Sequence, residues 1–229
     1  MSAIADNLQA VQARISEAAA LAGRSPESVR LLAVSKTWPL ACVVEATEAG
    51  QRAFGENYVQ EGIDKLTAIA GRNLEWHFIG PLQSNKSRPV AEHFDWVHTI
   101  DRLKIAERLS EQRPTYLPPL QACIQVNISG EASKSGCSQD EALTLCRAVA
   151  ALPGLRLRGL MAIPEPTDDP AAQRAQFHRV REIYNHIRAA GLPLDTLSMG
   201  MSHDLEAAIA EGATIVRIGT AIFGERSYK

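Results

Sequence analysis

Eight short apolar runs of strand length recur along this chain, the first seven each giving way to a longer stretch with helical spacing, and that alternation constrains the fold more than any other feature. The first run, Leu31-Leu32-Ala33-Val34, has no polar alternation, as expected of a strand buried on both faces in a parallel sheet. Further runs fall near 52–54, 76–79, 96–100, 120–126, 155–160, 194–198 and 214–218. Helical stretches lie at 40–49, 58–70, 85–93, 102–112, 139–151, 171–190 and 203–210. Ile4, Leu8, Val11, Ile15 and Ala19 recur at steps of three or four and predict one more helix ahead of the first strand, stopped by Gly23. Strands alternating with helices predict an α/β fold on a parallel sheet. Eight such units in 229 residues, slightly below the ~250 usual for the fold, predict a single-domain (β/α)8 TIM barrel over residues 1–229 with an extra N-terminal helix on its outside. An open doubly wound sheet has the same periodicity, but the first strand is not followed by a G-x-G-x-x-G turn.

Charge narrows the partners. With 24 basic and 26 acidic residues and no Lys/Arg run, nucleic acid or an anionic membrane is excluded as the main partner. No apolar run is long enough to span a bilayer and residues 1–10 show no signal pattern, so a cytoplasmic protein is expected. Cys42, Cys123, Cys137 and Cys146 include no C-x-x-C pair and predict reduced thiols without a metal site.

In a barrel the residues just after each strand face one mouth, where ligands bind. Lys36 follows the first strand, and Pro39 fits the first turn of the next helix with Thr37 or Trp38 leading into it. A lysine held there, partly desolvated, is a candidate Schiff-base amine; alternatively its stem covers apolar surface while its head reaches water. Gly55-Glu56-Asn57 follow the second strand, and His77 lies within the third, where a hydrogen-bonded core histidine is the simpler reading. The loop 128–136 contains Lys134, either a site residue or a solvated loop lysine. Loops after strands seven and eight commonly form a barrel's phosphate site. There Gly200 and Gly219 would let backbone approach an anion, and Ser202 and Thr220 would add hydroxyl donors. Asp204 and Glu206 compete with that reading, since both could cap the following helix instead. Arg217, between Val216 and Ile218, belongs to a buried strand and needs a partner: an internal carboxylate, or the pyridine nitrogen of a pyridoxal phosphate.

The stretches LLAVSKTWP (31–39), FGENYVQE (54–61), WHFIGPLQSNK (76–86), RGLMAIP (158–164), LSMGMSHDLEAAI (197–209) and VRIGTAIFG (216–224) resemble the pyridoxal phosphate homeostasis protein family, a relative of the barrel half of alanine racemase. The resemblance runs over essentially the whole chain, in order. It implies pyridoxal phosphate (PLP) bound as an aldimine on Lys36, phosphate contacts around Gly200, Ser202, Gly219 and Thr220, Arg217 near the pyridine nitrogen, and Asn57 as a ring-side contact. It further implies a monomeric PLP carrier or buffer in vitamin B6 homeostasis, with apo-PLP enzymes as recipients and no robust turnover. A PLP-dependent amino-acid racemase and a cofactor-free Schiff-base aldolase are the alternative classes. A racemase needs an acid/base group on each face of its substrate. The sequence after the eighth strand, ending at Lys229, holds no further domain to bring the second one, so the carrier is expected.

Overall fold

The computed structural model describes residues 2–129 and 135–225 and contains a closed barrel of eight parallel strands in sequential order. The strands are β1 (Arg30–Val34), β2 (Ala53–Glu56), β3 (Glu75–Phe78), β4 (Trp96–Ile100), β5 (Leu120–Gln125), β6 (Leu155–Met161), β7 (Thr196–Ser198) and β8 (Ile215–Ile218). Closure comes from β1, which pairs with β2 on one side and with β8 on the other. Helices α2 (Leu40–Glu48), α3 (Val59–Ala68), α4 (Ser87–His93), α5 (Leu103–Gln112), α6 (Gln139–Ala150), α7 (Pro170–Ala189) and α8 (Leu205–Ala210) each follow one strand from β1 to β7. Among the described residues, β8 is followed by the short α9 (Thr220–Phe223).

The N-terminal helix, α1 (Ala3–Leu21), fills the gap this leaves in the outer ring. It packs on α8, α9 and α2 through Ile4, Leu8, Val11, Ile15 and Ala19, the stripe its spacing predicts. Polar ties fix its angle: Asn7 Nδ2 donates to the Ile222 carbonyl at 2.9 Å, and Arg14 pairs with Glu206 at 2.8 Å.

The period of two along the strands separates two cores. Phe54, Phe78, Val97, Ile124, Leu160 and Val216 face outward into the apolar layer shared with the helices. Leu32, Ala53, Trp96, Cys123, Met161 and Ile215 have the opposite parity and form a smaller cluster inside the barrel. His77, His98, Ser198 and Arg217 share that inward parity and are buried with it.

Several boundaries differ from the sequence reading. β2 runs on to Glu56, so Gly55 and Glu56 belong to the strand. Pro39 is the N-cap of α2 at φ −65° and ψ 157°, one residue outside the helix, because its extended ψ cannot continue a helical turn. The helix expected over 85–93 divides into a 3-10 turn, Ser84–Lys86, and α4, with Pro89 in the first turn where its missing N–H costs no bond. The four cysteines are free thiols. Burial pushes Cys137 and Cys146 up to about 12 and raises Cys123 further, while Cys42 is only half-buried. Iodoacetamide should therefore label Cys42 first in the native protein, and the other three only on unfolding, as peptide mass mapping would report. Among the described residues no helix is long and apolar enough to cross a membrane.

Candidate functional site

A cavity of about 200 Å³ at the C-terminal end of the strands gathers Lys36, Asn57, Ser202, Arg217, Gly219 and Thr220, six of the seven residues singled out from the sequence. It shares Asn57, Ile79, Ile163 and Met201 with an adjoining cavity of about 370 Å³ that Thr99 and Gln125 also line. The mouth thus has a narrow end at the lysine and a wider outer chamber.

Lys36 is held from below by a buried cluster. Lys65, reaching up from α3, donates from Nζ to the Ser35 carbonyl at 2.7 Å, to Glu56 Oε1 at 2.8 Å and to Glu61 Oε1 at 2.7 Å. Ser35 Oγ donates to Glu56 Oε1 at 2.6 Å, and the Thr37 amide to Glu61 Oε1 at 2.6 Å. Thr37 has a left-handed φ of +67°, a conformation that costs a β-branched residue about 1–3 kcal/mol and persists only where neighbours fix it. Both residues flanking Lys36 are therefore pinned to one ion cluster. Burial pushes the Glu56 carboxyl up, against the charge and hydrogen bond of Lys65, and its Oε2 is buried with no hydrogen-bond partner. The cluster was not read from the sequence; the one signal was the i,i+4 pair Glu61 and Lys65 following a glutamate in an apolar run.

Asn57 leaves β2 on the rim of the cavity, and its Oδ1 is buried without a partner. Gly80 fixes its backbone, since a Cβ there would lie 2.1 Å from the Asn57 carbonyl oxygen.

On the opposite wall, Gly219 is the N-cap of α9 and lines the cavity with Thr220. The first N–H groups of any helix lack intrahelical partners, so this turn offers amide donors beside the Thr220 hydroxyl. Gly200 does not line the cavity: at φ +96° it supports the loop from behind, where a Cβ would lie 2.6 Å from that of Ala208. Asp204 takes one amide of the loop that lines the cavity, and Glu206 takes none. Asp204 Oδ1 accepts from the Met201 amide at 2.6 Å and makes no cap bond to α8, and Glu206 turns outward to Arg14. His203, which carried no signal in the sequence, also lines the cavity. Lys134 and its neighbours 130–134 lie outside the described residues.

Arg217 reaches the cavity from inside the barrel. Nη1 donates to the Ser198 carbonyl at 2.6 Å and to Ser198 Oγ at 2.9 Å, and Nη2 donates to the Ala162 carbonyl at 3.0 Å. These bonds take three of the five guanidinium N–H groups and leave Nε–H and one Nη2–H. Burial lowers its pKa to about 10, so it is a cation at neutral pH. His77 is the core residue the simpler reading expected: it is 1% exposed, stacks on Trp96 with ring centroids 5.2 Å apart and hydrogen-bonds Glu75 and His98.

A parallel barrel with a lysine after its first strand, an amide-and-hydroxyl cradle after its last two and a buried arginine between them defines a barrel of the alanine racemase type. The profile of that family, "Alanine racemase, N-terminal domain", matches residues 6–227. Within it the chain belongs to the pyridoxal phosphate homeostasis protein family. It is 64% identical over 228 residues to the pyridoxal phosphate homeostasis protein of Pseudomonas aeruginosa, covering 100% of this chain and 98% of the relative. It is 58% identical to the Escherichia coli K12 protein of that name, over 100% of this chain and 99% of the other. Among solved structures, PipY of Synechococcus elongatus PCC7942, described with PLP bound, superposes with a TM-score of 0.82 at 38% identity, covering 96% of this chain and 100% of that one.

Proposed function

We propose that this protein binds pyridoxal phosphate covalently through Lys36 and holds it for exchange, as a carrier or buffer in vitamin B6 homeostasis, rather than turning over a substrate. The observation that carries this reading is the convergence on one cavity of the Lys36 amine, the amide-and-hydroxyl turn at Gly219, Thr220 and Ser202, and the buried cation Arg217. The fit extends to Asn57, whose partnerless Oδ1 would accept from a polar hydrogen on a bound ligand. When bound, PLP supplies an aldehyde that condenses with amines and a ring that withdraws electrons. Arg217 would donate to the ring nitrogen while keeping its protons on its own nitrogens, which leaves that ring a weaker electron sink. The chamber of about 370 Å³ that shares Asn57, Ile79, Ile163 and Met201 with the Lys36 cavity is where an incoming amine would be accommodated.

The reading includes a monomer in the cytoplasm, with apo-PLP enzymes as recipients. Borohydride reduction of the protein loaded with PLP should fix the cofactor's mass on the peptide containing Lys36, and Lys36→Ala should abolish both the mass and the yellow colour. Label on another lysine with Lys36 unmodified would overturn the assignment.

His203 favours a second reading. Racemisation needs an acid/base group on each face of the reacting carbon, and the titratable groups lining the cavity besides Arg217 are Lys36 and His203. His203 neighbours Ser202 at the proposed phosphate end of the cavity. On the carrier reading, deuterium exchange at the α-carbon of L-amino acids should be negligible. Exchange at turnover rates, lost in both Lys36→Ala and His203→Ala, would establish the racemase instead.

A further inference from the structure

The guanidinium of Arg217 ends a buried chain of hydrogen bonds that crosses the barrel interior. Ser198 Oγ, which accepts from Arg217, lies 2.8 Å from His98 Nδ1; His98 Nε2 lies 2.9 Å from His77 Nδ1; and His77 Nε2 lies 2.6 Å from Glu75 Oε1. Glu75 is the first residue of β3, at the end of the barrel opposite Lys36, and the same Oε1 accepts from Arg30 Nη2 at 2.6 Å. Ser198, His98 and His77 are at most 1% exposed, so the links among them are shielded from bulk water, while Glu75 at the end of the chain is partly exposed.

The direction of every link follows from the acid at the end. Burial raises the Glu75 carboxyl, but the hydrogen bond from His77 and the Arg30 guanidinium outweigh this and hold it below the usual carboxylate range, so it is ionised and can only accept. His77 Nε2 must then carry a proton. Burial lowers the pKa of both histidines, so each ring is neutral with one N–H. His77 Nδ1 is therefore an acceptor and His98 Nε2–H donates to it. That leaves His98 Nδ1 as an acceptor, to which the Ser198 hydroxyl must donate, turning its lone pairs toward Arg217. Ser198, His98 and His77 each donate one bond and accept one along the chain, in a single sense from the donor Arg217 to the acceptor Glu75.

We propose that Glu75 is a positioning residue for the cofactor site: through His77, His98 and Ser198 it fixes the proton order that locks the Arg217 guanidinium in the orientation it presents to the ring nitrogen. Arg217's direct partners include the carbonyls of Ser198 and Ala162 and the Ser198 hydroxyl; Asp204 is the carboxylate whose charge acts on it, and Glu75 stands at the far end of this chain. The inference rests on the reading of Arg217 as the ring-nitrogen contact.

Two measurements separate the inference from that reading. In cofactor-free protein, long-range nitrogen–proton NMR of 15N-labelled histidine should show His77 and His98 both neutral with the proton on Nε2. Glu75→Leu, which removes the acceptor, should lose the single His98 tautomer. Loaded with PLP, it should shift the visible band in the same direction as Ser198→Ala. Glu75→Gln keeps an acceptor oxygen, held in place by Arg30, and should retain both the wild-type tautomers and the wild-type band. A proton on His98 Nδ1 in the unmodified chain would overturn the proposal, as would a Glu75→Leu protein with unchanged tautomers and band. If Glu75→Leu does not fold, the tautomers of the unmodified chain and of Glu75→Gln decide the matter. A chain that takes up no PLP but shows the Nε2 tautomers would refute the cofactor reading and leave the chain's direction standing.

Discussion

Replacing Lys65 with methionine is expected to cost about 3–5 kcal/mol of folding stability, the penalty for stranding one member of a buried ion pair. Methionine fills the space of the lysine stem but leaves Glu56, fully buried, with only the Ser35 hydroxyl as its hydrogen-bond partner. The midpoint of urea denaturation would measure the loss. Converting Glu56 to leucine in the same chain should restore much of it, because a buried pair replaced by apolar groups of similar volume is often close to neutral. Cofactor affinity should not return with it. The Ser35 carbonyl would still lack the Lys65 ammonium, and the geometry on either side of Lys36 depends on that bond and on the Glu61 bond to Thr37. A double variant that regains both stability and wild-type affinity would show that the cluster serves stability alone.

Gly159→Ala should be more damaging still, costing more than about 4 kcal/mol, beyond the range of ordinary single substitutions. A Cβ at Gly159 would fall 1.7 Å from the carbonyl oxygen of Thr196, its register partner on β7. The atom in the way is strand backbone, which cannot rotate aside, so the β6–β7 ladder must separate. Two residues along that ladder Met161 pairs with Ser198, so the displacement reaches the partner of Arg217. Loss of the folded protein, or of PLP binding in whatever folds, is the expected result; a wild-type urea midpoint would refute it.

The contrast between these two sites shows what a single sequence can carry. The barrel is legible because eight short unbroken apolar runs are separated by stretches with a period of 3.6, and Lys36 because its place after a doubly buried strand has chemical meaning. Arg217 stood out because apolar neighbours on both sides make a cation costly. Glu61 and Lys65, by contrast, have the spacing of an ordinary surface pair, and burial by the turn after β1 is what turns them into a clamp. His77 and His98 are 21 residues apart, and His98 and Ser198 are 100 apart, so no local pattern joins them. Gly200 is expected in the ligand cradle because a glycine after a seventh strand suits an anion; its positive φ and close packing on Ala208, which no local pattern shows, are demands of the loop itself.

The seam where β1 meets β8 has a consequence for how the protein acquires its cofactor. Lys36 follows one strand of that pair and Gly219 the other, and α1 braces both from outside. The amine and the phosphate cradle lie far apart in any chain whose last strand has not yet docked against its first. A ribosome-bound chain lacking β8, or an intermediate open at this seam, has the lysine but no pocket. On the proposed binding mode, stable loading would certify that the final stave of the barrel is in place. In the other direction, PLP held between Lys36 and the Gly219 turn would act as a clasp across the seam and shift the balance toward the closed form by mass action.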